Sequence, residues 1–289
     1  MPDIMGIMDI AFPNLGIYLK SVPKSFDVFG FTIALYGVII ACGMLLGITL
    51  ASRIAPQNNI KSDNVWDFIF IAIILGVIGA RVYYIIFRWD DYKDNILEVF
   101  NIRNGGLAIY GGLIVGFSVL FIYCHKHKIR SLDMCDTVVP GIALGQAIGR
   151  WGNFTNREVF GEYTDNLFAM RLPVDMVRQS DISESIASHM SASSNYIQVH
   201  PTFLYESMWN LGLMLVLILF TKHKKFSGQV LTLYMFGYGL GRFLIEGIRT
   251  DVLYVGHTHI AASQVVCVLI MAGAVIMNVA AMIFKRNPQ

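Results

Sequence analysis

Hydrophobic residues gather in seven long runs separated by shorter polar stretches: 28–50, 65–87, 105–124, 134–150, 203–221, 228–248 and 260–284. A helix rises about 1.5 Å per residue, so about 20 apolar residues cross a hydrocarbon core about 30 Å thick. Lipid offers no partners for backbone N–H and C=O groups, and runs of this length therefore predict helices. The fourth run is short and ends in polar residues. The expected fold is an all-α integral membrane protein, one polytopic domain over residues 1–289 with about seven transmembrane helices.

Lys and Arg are spread unevenly between the runs. Segments 51–64, 125–133, 222–227 and 285–289 hold ten in 34 residues, whereas 1–27, 88–104, 151–202 and 249–259 hold nine in 107. Basic loops stay in the cytoplasm. The N-terminus is therefore expected outside and the C-terminus in the cytoplasm, with the region 151–202 extracytoplasmic. Trp89 and Trp151 would then sit at the outer interface, where indole rings anchor. No sequence repeat is visible, unlike many transporters built from similar halves.

Composition agrees with a membrane setting. The chain is 55% hydrophobic and only 15% charged, with mean hydropathy +0.56. Soluble domains carry about a quarter charged residues. A net charge of +2 gives no electrostatic reason to expect a nucleic-acid partner. The start of the chain lacks the pattern of a removable signal peptide. Cys42, Cys124, Cys135 and Cys267 lie in hydrophobic runs without CxxC spacing, so buried free thiols are expected rather than disulfides or metal ligands.

Charges inside the runs cost at least about 2.5–3.5 kcal/mol each near the bilayer centre and call for a reason. They are Arg81, Arg150, Arg242, Glu206 and Glu246, with Asp67 and Asp136 nearer the cytoplasmic edge. Tyr238, Arg242, Glu246 and Arg249 recur at helical spacing and form one stripe. An internal ion pair would explain Arg242 and Glu246, but Arg249 adds a second cation to a single glutamate. An anion from elsewhere would fit. Arg150 and Asn153, in GRWGNFTNREVFG (149–161), give the same picture at the outer boundary. Arginine offers a planar fork of donors matched to phosphate, and asparagine a neutral donor and acceptor. A phospholipid head group is the obvious anion that lives in a membrane. Small residues four apart, as in Gly43/Gly47 and Gly141/Gly145/Gly149, predict close helix packing. His200 opens the fifth run, where fixing a loop competes with catalysis. His257 and His259 have no carboxylate or thiol beside them and are not expected to bind zinc.

These residues together resemble the prolipoprotein diacylglyceryl transferase family, bacterial integral membrane enzymes of lipoprotein maturation. The resemblance rests on GRWGNFTNREVFG, on LYG at 35–37, GGLAIYGGL at 105–113, HPTFLYE at 200–206 and YGLGRFLIEGIR at 238–249, all in register. It implies transfer of a diacylglyceryl group from phosphatidylglycerol to the lipobox cysteine of a prolipoprotein signal peptide, with release of glycerol-1-phosphate. It implies the bacterial cytoplasmic membrane and an extracytoplasmic site, and no cofactor or metal. Arg150 and Arg242 would hold the phosphate, and Asn153 would orient the head group. Glu158 would fix an arginine or join the polar network, and Tyr36 and Tyr238 would line the cavity. Glu246 and Arg249 would form an ion-pair wall, with Gly161 allowing the loop to fold tightly. Tyr110 stands where many relatives have a histidine regarded as a thiol base, and a phenol is a poor base near neutrality. His200, Glu158 or the arginine field are the other candidates for activating the thiol. Without the resemblance, a transporter or flippase for an anionic lipid, or a subunit whose ion pairs only pack helices, would fit the same charges.

Overall fold

The computed structural model describes residues 9–93, 95–101, 105–190, 195–254, 258 and 260–286. In chain order it contains β1 (Ile10–Phe12), β2 (Ile17–Leu19), β3 (Ser25–Val28), β4 (Phe31–Ala34), α1 (Leu35–Ile54), α2 (Ser62–Phe87), α3 (Ile109–Lys126), α4 (Ser131–Asn156), β5 (Met170–Pro173), α5 (Glu184–Ser188), β6 (Tyr196–Val199), α6 (Thr202–Thr221), α7 (Gln229–Glu246) and α8 (Ala262–Arg286). The chain divides into two compact units, residues 1–47 with 139–289, and residues 48–138.

Each hydrophobic run overlaps a helix of at least 18 residues. Among the described residues, five are long and apolar enough to cross a membrane: α1 with the turn after it, α2, α3, α6 and α8. The other two, α4 and α7, are interrupted by the polar residues that the site uses, Arg150 and Asn153 in one, Arg242 and Glu246 in the other.

Two expectations need correction. The fold is mostly helical but not all-α, because two small sheets are present. The first run also does not start as a helix. Residues 25–34 form an antiparallel hairpin, β3 on β4, turned by Phe29 and Gly30 at φ 49° and 82°. Two successive positive φ angles give the backbone twist a two-residue hairpin needs, and Phe26, Val28, Phe31, Thr32 and Ile33 are strand-favouring types. The Leu35 N–H donates to the Lys24 carbonyl at 2.9 Å, closing the hairpin where α1 begins.

The second sheet has the order β2-β1-β5-β6 and is antiparallel throughout. Burial alternates along β5 and β6, as a sheet with one covered face requires. That face holds Ile10, Phe12, Leu172, Ile197 and Val199 against Phe160 and Phe203. The segment between α4 and α6 is therefore a folded element with its own core.

In the same unit, α4, α6 and α7 pack through Val139, Ala143, Leu213, Leu217 and Val230. Close approach of α1 and α4 depends on glycine: a Cβ on Gly47 would lie 2.5 Å from the Gly141 carbonyl oxygen, and one on Gly43 would lie 3.2 Å from that of Gly145. The packing role read from the four-residue spacing holds for these pairs. In the other unit, α2 meets α3 where Gly79 faces Gly111. All four cysteines are free; Cys124 and Cys267 are buried, whereas Cys42 is exposed and Cys135 is half-buried, contrary to expectation.

Candidate active site

Aromatic packing brings the end of α4 to the start of α6. The Trp151 and Phe154 rings lie 5.4 and 4.7 Å from Phe203, and the Trp151 indole N–H donates to Ser207 Oγ at 3.2 Å. One turn away, Arg150 meets Glu206, Nη2 to Oε2 at 2.6 Å. The other oxygen of Glu206 accepts from Arg242 Nη1 at 2.9 Å and faces Arg249 at 3.8 Å. Glu206 is thus shared by three arginines, from α4, α7 and the turn after α7, and is only 3% exposed.

Spacing along α7 supplies the next pair. Arg242 Nη2 lies 2.5 Å from Glu246 Oε2, one turn on. That oxygen has no partner in hydrogen-bond geometry, so the contact is ionic rather than aligned. Arg249 faces Glu246 at 3.8 Å but pairs chiefly with Asp251, through Nε at 2.8 Å and Nη2 at 2.6 Å. Burial alone would raise the Asp251 carboxyl, yet the Arg249 guanidinium holds it below the usual carboxylate range. On the α4 side, Arg150 donates to Asn153 Oδ1 at 3.4 Å, Asn153 donates to Glu158 Oε1 at 3.0 Å, and Asn156 donates to the same oxygen at 3.4 Å. Among the described residues Glu158 Oε2 has only Arg178, at 3.8 Å. One polar chain therefore runs from Asp251 to Glu158.

The loop after α4 is pinned from three directions. Arg157 and Val159 take left-handed conformations, both at φ 57°. Arg157 is buried, bidentate on Asp9, and donates to the Val22 and Thr155 carbonyls, so it serves structure. Gly161 bridges to Arg249 in antiparallel fashion and donates to the His200 carbonyl at 3.0 Å. A Cβ there would lie 2.6 Å from the Ile248 carbonyl oxygen and 2.9 Å from His200 Cβ. The His200 ring turns to Tyr205, with Nδ1 3.2 Å from its hydroxyl, and to Asn166 at 3.4 Å. Burial pushes the His200 imidazole below its ordinary range, with Glu162 opposing weakly. Tyr36 covers Gly152, where any Cβ would meet its ring, and Tyr238 stacks on Tyr234 at 5.7 Å.

The surplus positive charge expected on the α7 stripe is not there. Arg150, Arg242 and Arg249 are matched by Glu206, Glu246 and Asp251. Sequence spacing shows partners only along one helix, so Glu206 was legible as an intramembrane acid but not as the centre of the cluster. Asp251 gave no signal at all. What still points to a ligand is exposure. The Arg150 and Arg242 side chains are 21% and 17% exposed, while the acids that grip them are 3–4% exposed. Neither Nε has a partner among the described residues. Arg81, in the other unit, is the opposite case. Its guanidinium donates to the carbonyls of Glu98, Val99, Asn101, Gly105 and Gly106, and it stacks over Tyr92. Tyr110 is 68% exposed in the first turn of α3, with no hydrogen bond to its hydroxyl among the described residues. His257 and His259 lie outside the described residues.

Residues 23–280 match the sequence profile of the prolipoprotein diacylglyceryl transferase family. A phosphatidylglycerol–prolipoprotein diacylglyceryl transferase of Clostridioides difficile (strain 630) is 43% identical over 255 residues, covering 88% of this chain and 93% of that protein. The proteins of the same name from Finegoldia magna and Enterococcus faecalis are 40% and 39% identical, covering 88% and 91% of this chain and 94% and 91% of their own lengths.

Proposed function

The chain belongs to the prolipoprotein diacylglyceryl transferase family, and from that premise we propose that it joins the diacylglyceryl group of phosphatidylglycerol to a lipobox cysteine at the arginine cluster. It is a membrane-bound transferase of lipoprotein biosynthesis; the transporter or flippase reading has no support from its relatives. The observation that carries the site is the pair Arg150 and Arg242, both gripped by buried Glu206 and both part-exposed on their other side. Five donors per guanidinium leave room for phosphate oxygens once two are used within the cluster.

The reaction is displacement at the glycerol carbon that carries the phosphate. The cysteine sulfur forms a C–S bond, the C–O bond breaks, and its electron pair stays on the phosphate oxygen as glycerol-1-phosphate leaves. Arg150 and Arg242 stabilise that oxygen, and a preorganised donor of this kind is worth about 10²–10³ in rate. Asn153 orients the head group, Glu206 and Glu246 hold Arg242 in place with Arg249 completing their ion-pair wall, and Tyr36 and Tyr238 line the lipid side. The thiol proton goes to Glu158, whose Oε2 is engaged among the described residues only at 3.8 Å. His200 and Gly161 fix the loop that carries Glu158. Tyr110 takes no proton in this scheme.

The density of Lys and Arg in the loops supports seven spans with the N-terminus outside and the C-terminus in the cytoplasm. On that reading the cluster lies at the extracytoplasmic face of the bacterial cytoplasmic membrane. The test is transfer of label from phosphatidylglycerol to the cysteine of a lipobox peptide by purified protein. Arg150→Ala and Arg242→Ala should each lose about 100-fold or more while still inserting normally; full transfer by either would remove the phosphate site from this cluster.

A further inference from the structure

Beside the cluster, in the same unit, lies a cavity of about 690 Å³ whose walls include Ser21, Lys24, Asn156, Glu158, Asp175 and Arg178. Its volume is that of a ligand site, about 300–1,000 Å³. None of Arg150, Arg242 and Arg249 lines it. Asn156 and Glu158 belong both to its wall and to the polar chain that reaches Arg150 through Asn153. One wall is built before α1: the buried Arg157–Asp9 pair anchors the segment that carries Ser21 and Val22. Asp9, Ser21 and Val22 precede residue 23, where the family match begins.

Charge decides what this cavity suits. Lys24, Arg157 and Arg178 face Asp9, Glu158 and Asp175, so the lining is balanced. Arg157 and Asp9 are consumed by each other. Among the described residues the Lys24 ammonium makes only a 3.4 Å contact to the Met176 carbonyl, and Asp175 is exposed. With the Arg157–Asp9 pair set aside, Lys24 and Arg178 are offset by Glu158 and Asp175, so a phosphate dianion finds no net positive charge here. A peptide main chain alternates donors and acceptors and carries no net charge, so it matches such a lining.

We propose that this cavity receives the polypeptide segment that follows the acceptor cysteine, held extended by hydrogen bonds to its main chain. The inference rests on the cysteine-acceptor reading above. A thiol delivered to Glu158 from this side has its downstream residues in the cavity, and the chain's own wall of Ser21 and Lys24 then helps to select which sequences follow the cysteine.

The experiment uses full-length protein in proteoliposomes with phosphatidylglycerol and two peptides. One ends with an amide directly after the lipobox cysteine; the other continues for six polar residues. Both should be modified, and the longer should show a KM about tenfold lower. Ser21→Trp, and separately Lys24→Ala with Asp175→Asn, should erase that advantage while leaving turnover of the short peptide and the KM for phosphatidylglycerol unchanged. A benzophenone two residues after the cysteine should crosslink wild-type protein at Lys24 or within 175–178, a readout that needs no variant. Equal KM values for the two peptides, or crosslinks confined to other segments, would overturn the proposal. So would glycerol-1-phosphate competing only with the long peptide and losing that effect in the variants, since the cavity would then be the product's. Failure to modify either peptide would instead sink the transferase reading itself.

Discussion

Arg81 and Arg150 show how the same side chain, in similarly apolar sequence, ends in different employment. Arg81 gives its donors to five backbone carbonyls and keeps none for a ligand. Arg150 gives two, to Glu206 and Asn153, and stays part-exposed. Arg81→Met should therefore reduce the thermal stability of the detergent-solubilised protein, at about 1.5–3 kcal/mol per charged hydrogen bond lost. In whatever fraction stays folded, the KM for phosphatidylglycerol should not move. Glu206→Gln is the reverse test. Removing one partner from a buried ion cluster costs about 3–5 kcal/mol, and Arg150 and Arg242 lose the anchor that aims them. Both the melting temperature and transfer should fall; retained transfer would mean the arginines aim themselves. Glu158→Gln should lose about 100-fold or more at pH 7 yet recover as pH approaches about 8.5, where a cysteine thiol ionises unaided. A pH-independent loss would reassign Glu158 to positioning. Arg150, Asn153, Arg242 and Glu246 were all legible in sequence, because intramembrane charge is rare and i, i+4 partners can be read directly. Glu206 as a hub was not, since its partners come from α4, α7 and the turn after α7.

At the level of elements, glycine and short strands set the precision. Gly161→Ala would push a methyl group into the Ile248 carbonyl and His200 Cβ. Overpacking of this kind costs about 1–3 kcal/mol, and it falls on the bridge that ties the loop after α4 to Arg249. Reduced transfer with a lowered melting temperature is the expected result. The same loop carries a pH signature. His200 has a folded pKa below its unfolded value, so the unfolded chain binds the extra proton first. Its stabilising contribution is full above the ordinary imidazole range, about 6.5, and is lost as pH falls through and below it. His200→Gln should flatten the melting temperature between pH 7.5 and 5.5 relative to wild type, as scanning calorimetry would record. Helices were readable here because each repeats its signal over 18 or more residues. Strands of three or four residues, such as β1, β5 and β6, hold too few positions for a period of two to stand out, and the hairpin before α1 was absorbed into the apolar run that follows it.

For the whole molecule, the direction of each helix across the membrane decides on which side the cluster meets its substrates. Asn166→Cys in a chain stripped of its four native thiols should react with an impermeant maleimide on intact cells, and Lys224→Cys only after lysis. The opposite result would invert the topology and with it the site. The pairing of three arginines with three carboxylates also bears on turnover. Phosphatidylglycerol arrives with one negative charge on its phosphate and departs as a monoester with nearly two. The donors of Arg150 and Arg242 that stabilise the departing oxygen grip the second more firmly than the first, and the carboxylates that already share those arginines temper that grip. The by-product should therefore linger as a competitor of phosphatidylglycerol, and its escape should quicken as pH falls and the monoester takes up a proton.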